Sequence, residues 1–122
     1  FEPLWITGCG VVSAIGFDKR ESLQALMEER SGVERVCYLQ TTHTEFPVGE
    51  VKLSNAQMRN RLNLPPDTLS PRTALIGMLA LQEALTEARV ESSLLPQVGF
   101  ISGTTVGGMD KSERYYMDFL LG

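Results

Sequence analysis

The feature that most constrains the fold is a helical stretch that carries no charge on any side. Ser70-Pro71 supplies a capping hydroxyl and then proline at the first helical position, and the helix is predicted to run to about Ala88 or Arg89. No charged side chain occurs from Thr73 to Leu81. A surface helix carries a polar stripe, whereas a helix that is apolar all round is enclosed by protein on several sides. The sequence therefore predicts a layered α/β protein in which this helix is covered on both faces.

Two apolar segments, each followed by a glycine-rich loop, are predicted to be buried strands. Leu4 to Thr7 precedes Gly8-Cys9-Gly10, and Val98 to Ser102 precedes the loop from Gly103 to Gly108. The second loop leads into Lys111 to Leu121, which has the apolar spacing of a helix and an apolar side in need of a partner. Two strand–loop–helix units and a few short strands are too few to surround a helix that is apolar all round. We therefore expect the chain to be the front part of a larger protein, or to dock permanently onto another chain.

The region between these units gives shorter elements. Asp18 is a candidate N-cap for a helix that stops at Ser31-Gly32 and whose apolar side is formed by Leu23, Leu26 and Met27. Residues 33–39 and 46–51 are predicted to form short extended pieces, and residues 57–62 a helical turn.

Composition and charge narrow the function classes. The 122 residues are 43% hydrophobic, which gives room for one core. The net charge is −4 and the basic residues are scattered, so they form no basic stripe that could neutralise successive phosphates of a nucleic acid. The longest apolar run, Ala74 to Leu81, is far below the roughly 20 residues of a membrane-spanning helix. Glu2 and Pro3 stand where a secretory signal carries positive charge. We expect a cytoplasmic protein without nucleic-acid or membrane partners.

The metal-binding and redox residues are few. Cys9 and Cys37 do not form a CxxC motif, and His43 is the single histidine of the sequence. No recognisable metal-ligand spacing results, and a chain of this composition does not need a disulfide. We therefore expect free thiols, no metal site and no cofactor.

Both glycine-rich loops fall short of nucleotide-binding motifs. Gly8 to Ser13 lacks the third glycine of G-x-G-x-x-G, and Ala14 to Phe17 intervene before any helix signal. Tyr38-Leu39-Gln40 stands where a ribose-binding carboxylate is expected. Gly103 to Gly108 has the frame of a phosphate loop but is followed by Met109-Asp110, without the lysine and hydroxyl that hold phosphate and magnesium.

Several of these segments, taken in order, resemble one family along nearly the whole chain. They are Ile6 to Gly16, Ser31-Gly32-Val33, Phe46 to Val51, the apolar helix Arg72 to Ala88, and Val98 to Gly108. They look like the N-terminal portion of β-ketoacyl-acyl carrier protein synthases, the elongating condensing enzymes of fatty acid and polyketide synthesis. The resemblance implies a thiolase-like fold of five layers, α/β/α/β/α, whose central helices lie between two sheets. Residues 1–122 would be about the first third of one domain, which is incomplete in this chain.

The resemblance also implies where the chemistry lies. The family uses a cysteine nucleophile and two histidines to condense an acyl group with malonyl-acyl carrier protein. Neither Cys9, Cys37 nor His43 matches those residues, so no catalytic residue is expected in this chain. By motif position, Val106 resembles the family's apolar residue beside the acyl pocket, with Gly107 and Gly108 allowing close packing. The implied partners are acyl carrier protein carrying acyl and malonyl groups, and a second copy of the protein in a homodimer.

Three functions remain open at this point. The first is acyl transfer with carbon–carbon bond formation and release of carbon dioxide, with this fragment inactive by itself. The second is a non-catalytic condensing-enzyme-like subunit of a heterodimer. The third is a small nucleotide-binding βα module, which requires that these residues fold alone and bind a dinucleotide.

Overall fold

The computed structural model describes residues 2–122, except for the side chain of Asp110, and combines helices with one small sheet. The helices are α1 (Lys19–Met27), α2 (Asn55–Arg61), α3 (Arg72–Glu87) and α4 (Met109–Leu121). A 3-10 helix covers Ser92–Gln97, and the strands are β1 (Val33–Arg35) and β2 (Pro47–Gly49). This mixture of helix and strand is compatible with the predicted α/β class.

The sheet is an antiparallel pair. Val33 lies opposite Gly49, Glu34 opposite Val48, and Arg35 opposite Pro47. Extended pieces within residues 33–39 and 46–51 are therefore confirmed, although each strand is only three residues long.

The core forms where α2 packs against α3. Leu53, Met58 and Leu75 are buried there. α2 begins at a capping box, in which Ser54 Oγ accepts the N–H of Gln57 and the Gln57 side chain accepts the N–H of Ser54. The predicted helical turn at residues 57–62 is thus confirmed, starting two residues earlier. The partly buried side chains around this core are Phe17, Val51, Leu62, Leu64, Ile76 and Leu79.

α1 begins as predicted but buries a different face. Asp18 Oδ1 accepts the N–H of Glu21 at 2.7 Å, so the N-cap is confirmed. The buried residues of α1 are Ser22 and Ala25, whereas the predicted apolar side is exposed: Leu23, Leu26 and Met27. Ser22 is buried because the loop at Gly16 runs so close to it that a Cβ added at Gly16 would collide with the Ser22 backbone. The predicted glycine stop is also wrong, because the chain turns at Glu29, whose φ is 52°.

α3 is the helix that the sequence predicts to be covered on both faces. Pro71, not Ser70, is its N-cap, and no side chain makes a capping hydrogen bond. Of its residues, Leu75 is fully buried, while Met78 and Leu81 are each more than a third exposed. A methyl group added at Gly77 would meet no atom within 4 Å. Within residues 2–122, α3 is therefore open at Gly77, Met78 and Leu81, and the predicted cover on both faces is not found.

The two predicted buried strands are not strands here. Leu4 to Thr7 and Val98 to Ser102 have no regular secondary structure, and Leu4 and Ile101 are each 99% exposed. A strand exists only when its backbone pairs with a neighbour. Among residues 2–122 no such ladder forms with either segment, because the pairing is confined to β1 and β2 and to one bridge between Ser13 and Gly16. The apolar sequence pattern is present, but the described chain offers no partner strand.

Candidate functional site

The loop predicted to line a substrate pocket lies between the start of α3 and the start of α4. Gly108 is the N-cap of α4 and has a φ of 88°, a left-handed conformation that glycine adopts without strain. Its N–H donates to Thr73 Oγ1 at 3.4 Å, which joins the loop to the first turn of α3. The helix that the sequence predicts after this loop is confirmed.

Val106 and Gly107 occupy different surroundings within that loop. The Val106 side chain is 62% exposed. A Cβ at Gly107 would lie 2.8 Å from Cγ2 of Thr104, closer than real Cβ contacts, so this glycine allows the loop to fold onto itself. The structure thus brings Val106, Gly107 and Gly108 together at the start of α4. Their role in substrate binding stays a prediction.

The first glycine-rich loop packs directly on the backbone of α3. A Cβ at Gly8 would collide with the carbonyl oxygen of Ala84, and a Cβ at Gly10 with that of Ala80. Both glycines therefore allow the loop to approach α3 closely, at two points one helical turn apart. This packing explains the glycines without any ligand.

Two carboxylates of α3 hold the same loop through its backbone. Glu87 Oε2 accepts the N–H of Cys9 at 2.7 Å, and Glu83 Oε2 accepts the N–H of Val11 at 2.9 Å. Glu83 Oε1 also accepts the N–H of Lys19 at 2.9 Å, and the Lys19 ammonium pairs with Glu87. The hydrogen bond from Lys19, together with that from the Cys9 N–H, lowers the pKa of Glu87, and the same contact raises the pKa of Lys19.

This arrangement bears on the nucleotide-binding alternative. The N–H groups of Cys9 and Val11, which a phosphate would need, already donate to carboxylates, and two negative charges at this position repel a phosphate. Moreover, the helix after the loop begins only at Lys19, whereas a dinucleotide fingerprint opens directly into its helix. The geometry therefore disfavours a dinucleotide site here.

Sequence reasoning missed Glu83 and Glu87. They are four residues apart on one face of α3, just beyond its apolar stretch, and that spacing is the one available signal. The spacing indicates that the two carboxylates share a face of α3. It does not indicate which backbone N–H groups they bind.

An open cleft of about 800 Å³ lies next to the loop of residues 38–40 and the starts of α2, α3 and α4. Charges of both signs meet on its walls. Its lining residues are Tyr38, Leu39, Gln40, Ser54, Asn55, Arg72, Lys111, Glu113 and Arg114.

Arg72 fixes one wall of this cleft. Its guanidinium donates to the carbonyl oxygens of Val51 at 2.7 Å and Leu53 at 2.8 Å, and to Asn55 Oδ1 at 3.0 Å. It also lies 5.7 Å from the centre of the Tyr38 ring. This arginine ties the segment before α2 to the start of α3.

Glu50 fixes the loop of residues 37–39, which forms another part of the cleft wall. Its carboxylate accepts the backbone N–H groups of Cys37 at 2.8 Å, of Tyr38 at 2.9 Å, and of Leu39. Partial burial acts to raise the pKa of Glu50, but these three N–H groups and the charge of Arg72 outweigh it, and the net pKa is lowered. The charged form of Glu50 therefore stabilises this loop.

The two cysteines and the histidine are the remaining side chains that could carry chemistry. Cys9 and Cys37 are both free and exposed. The Cys37 thiol donates to the carbonyl oxygen of Arg35 at 3.4 Å, and His43 Nδ1 lies 3.3 Å from Glu45 Oε1. Across residues 2–122, leaving out the Asp110 side chain, no three His, Cys, Asp or Glu side chains are placed to share a metal ion. In the same part of the chain, no helix is long and apolar enough to cross a membrane.

Comparison with known proteins gives one relevant similarity. The chain is 28% identical over 106 residues to 3-oxoacyl-[acyl-carrier-protein] synthase 1 of Buchnera aphidicola subsp. Baizongia pistaciae (strain Bp). The match covers 84% of this chain and 26% of that protein, so the chain spans about a quarter of the length of this relative. No protein-family model matches the chain, and no solved structure matches it. The chain is thus distantly similar to a piece of that synthase.

Proposed function

We propose that this chain is the N-terminal portion of a β-ketoacyl-acyl carrier protein synthase. The complete protein would be an acyltransferase that joins an acyl group to the unit left when malonyl-acyl carrier protein loses carbon dioxide, in fatty acid or polyketide synthesis. The observation that carries the proposal is the similarity over 84% of the chain to a 3-oxoacyl-acyl carrier protein synthase, since 3-oxoacyl and β-ketoacyl name the same group. The identity is low, but its length along this chain supports a common fold.

Exposed apolar surface supports a thiolase-like layered fold for the complete protein. Leu4 to Thr7 and Val98 to Ser102 have the composition of strands buried on both faces, yet their side chains are exposed. α3 is apolar over its first half and open near Gly77. Additional strands beside these segments and a second layer on α3 would bury all of this surface, as layers of the proposed fold do.

The proposal assigns this chain a supporting role in the reaction. The cysteine nucleophile and two histidines would come from the remainder of the protein, because Cys9, Cys37 and His43 do not match the family's catalytic residues. Val106, Gly107 and Gly108 would form part of the acyl pocket, with the valine side chain limiting its depth. Acyl carrier protein would deliver both substrates, and the complete protein would act in the cytoplasm as a homodimer.

The test is a condensation assay on the complete protein. Its intact mass is measured first, and a mass several times 13.5 kDa is expected. The protein is then incubated with acyl-acyl carrier protein and malonyl-acyl carrier protein, and the product is identified by mass spectrometry. We expect a 3-oxoacyl product two carbons longer than the primer, with one carbon dioxide released per product, and none when the acyl primer is omitted.

Other results would separate the alternatives. A complete protein that is inactive alone but required for product formation with a second condensing subunit would be the non-catalytic partner. A protein of about 13.5 kDa that folds alone and binds a dinucleotide would contradict the proposal altogether.

A further inference from the structure

We draw no further inference here: the strongest candidate, the cleft between the loop of residues 38–40 and the starts of α2, α3 and α4, carries nothing because its walls bear charges of both signs, its Arg72 already binds backbone carbonyls, and nothing in the structure shows what covers it.

Discussion

Replacing Glu50 with glutamine tests whether one carboxylate holds the loop of residues 37–39. The carboxylate accepts the N–H groups of Cys37, Tyr38 and Leu39 and lies in the field of Arg72. Each carboxylate oxygen accepts two of the three N–H groups, so the one oxygen of glutamine keeps two bonds without the charge. The third N–H group loses its acceptor and faces the amide NH2 group, so we count the total loss as equivalent to two bonds. Hydrogen bonds to charged groups contribute roughly 1.5–3 kcal/mol each, and these lie near solvent, so about 1 kcal/mol is taken for each. We therefore expect Glu50→Gln to lower the free energy of unfolding by about 2 kcal/mol at pH 7.

The pH dependence of this loss has a definite sign. The pKa of Glu50 in the folded protein is below its ordinary value of 4.5. A carboxyl group whose pKa is lowered on folding contributes its full stability above the ordinary value, and that stability disappears as the pH falls through the folded-state pKa. The stability difference between the wild type and Glu50→Gln should therefore be complete at pH 7 and shrink below about pH 4.5.

The assay is urea denaturation of the complete protein, followed by far-UV circular dichroism at neutral and acid pH. Amide hydrogen exchange of residues 37–39 gives a local readout, and their exchange should become faster in the variant. Glu2→Gln is the matched control, because it removes the same charge from an exposed position. Equal stability of Glu50→Gln and wild type at neutral pH, or a difference that stays constant into acid, would refute the reasoning.

Four further changes test other contacts. Glu83→Ala should lower the free energy of unfolding by about 1–2 kcal/mol and speed hydrogen exchange of the Val11 and Lys19 amides, which Glu83 binds. Unchanged exchange would show that this contact does not hold the first glycine-rich loop. Gly10→Ala should cost about 3 kcal/mol or more in denaturation, because its methyl group meets the backbone of α3, and a neutral result would contradict that packing. Gly77→Ala should stabilise a helix that is open at this position by about 1 kcal/mol. In the complete protein we expect a loss of stability, because the proposed second layer would pack against Gly77, and a gain in stability would count against that layer. Val106→Phe should reduce condensation with long acyl primers more than with short ones, and equal reductions would remove this residue from the pocket.

Local signals in the sequence predicted the structure well where one side chain was enough. Asp18 caps α1 because its own carboxylate reaches the N–H of Glu21, three residues away. α4 follows the second glycine-rich loop, since Gly108 takes the left-handed conformation that the turn requires. The helix start at Pro71 differs from the prediction by one residue, because Ser70 turns back and donates its N–H to the carbonyl oxygen of Thr68.

Contacts between residues distant in the chain could not be predicted from the sequence. Glu83 and Glu87 bind N–H groups that are 72 and 78 residues earlier in the chain. Glu50 binds a loop 11 to 13 residues before it, and nothing in the order of residues singles out that glutamate. The burial of Ser22 on α1 was also missed, because it results from the close approach of the loop at Gly16 and not from hydrophobicity. In each case the deciding partner is set by the fold.

The exposed strand-like segments and α3 both bear on the proposed additional layer. Burying a large aliphatic side chain contributes about 1.5–3 kcal/mol, so Leu4, Ile6 and Ile101 together represent roughly 5–9 kcal/mol of hydrophobic stabilisation that residues 2–122 do not gain. Exposed apolar residues in two separate segments therefore support the proposal that further strands pack against them. The matched 3-oxoacyl-[acyl-carrier-protein] synthase 1 is about four times as long as the matched region. Under the proposed function, the rest of the same protein would pair with both segments and cover the open side of α3.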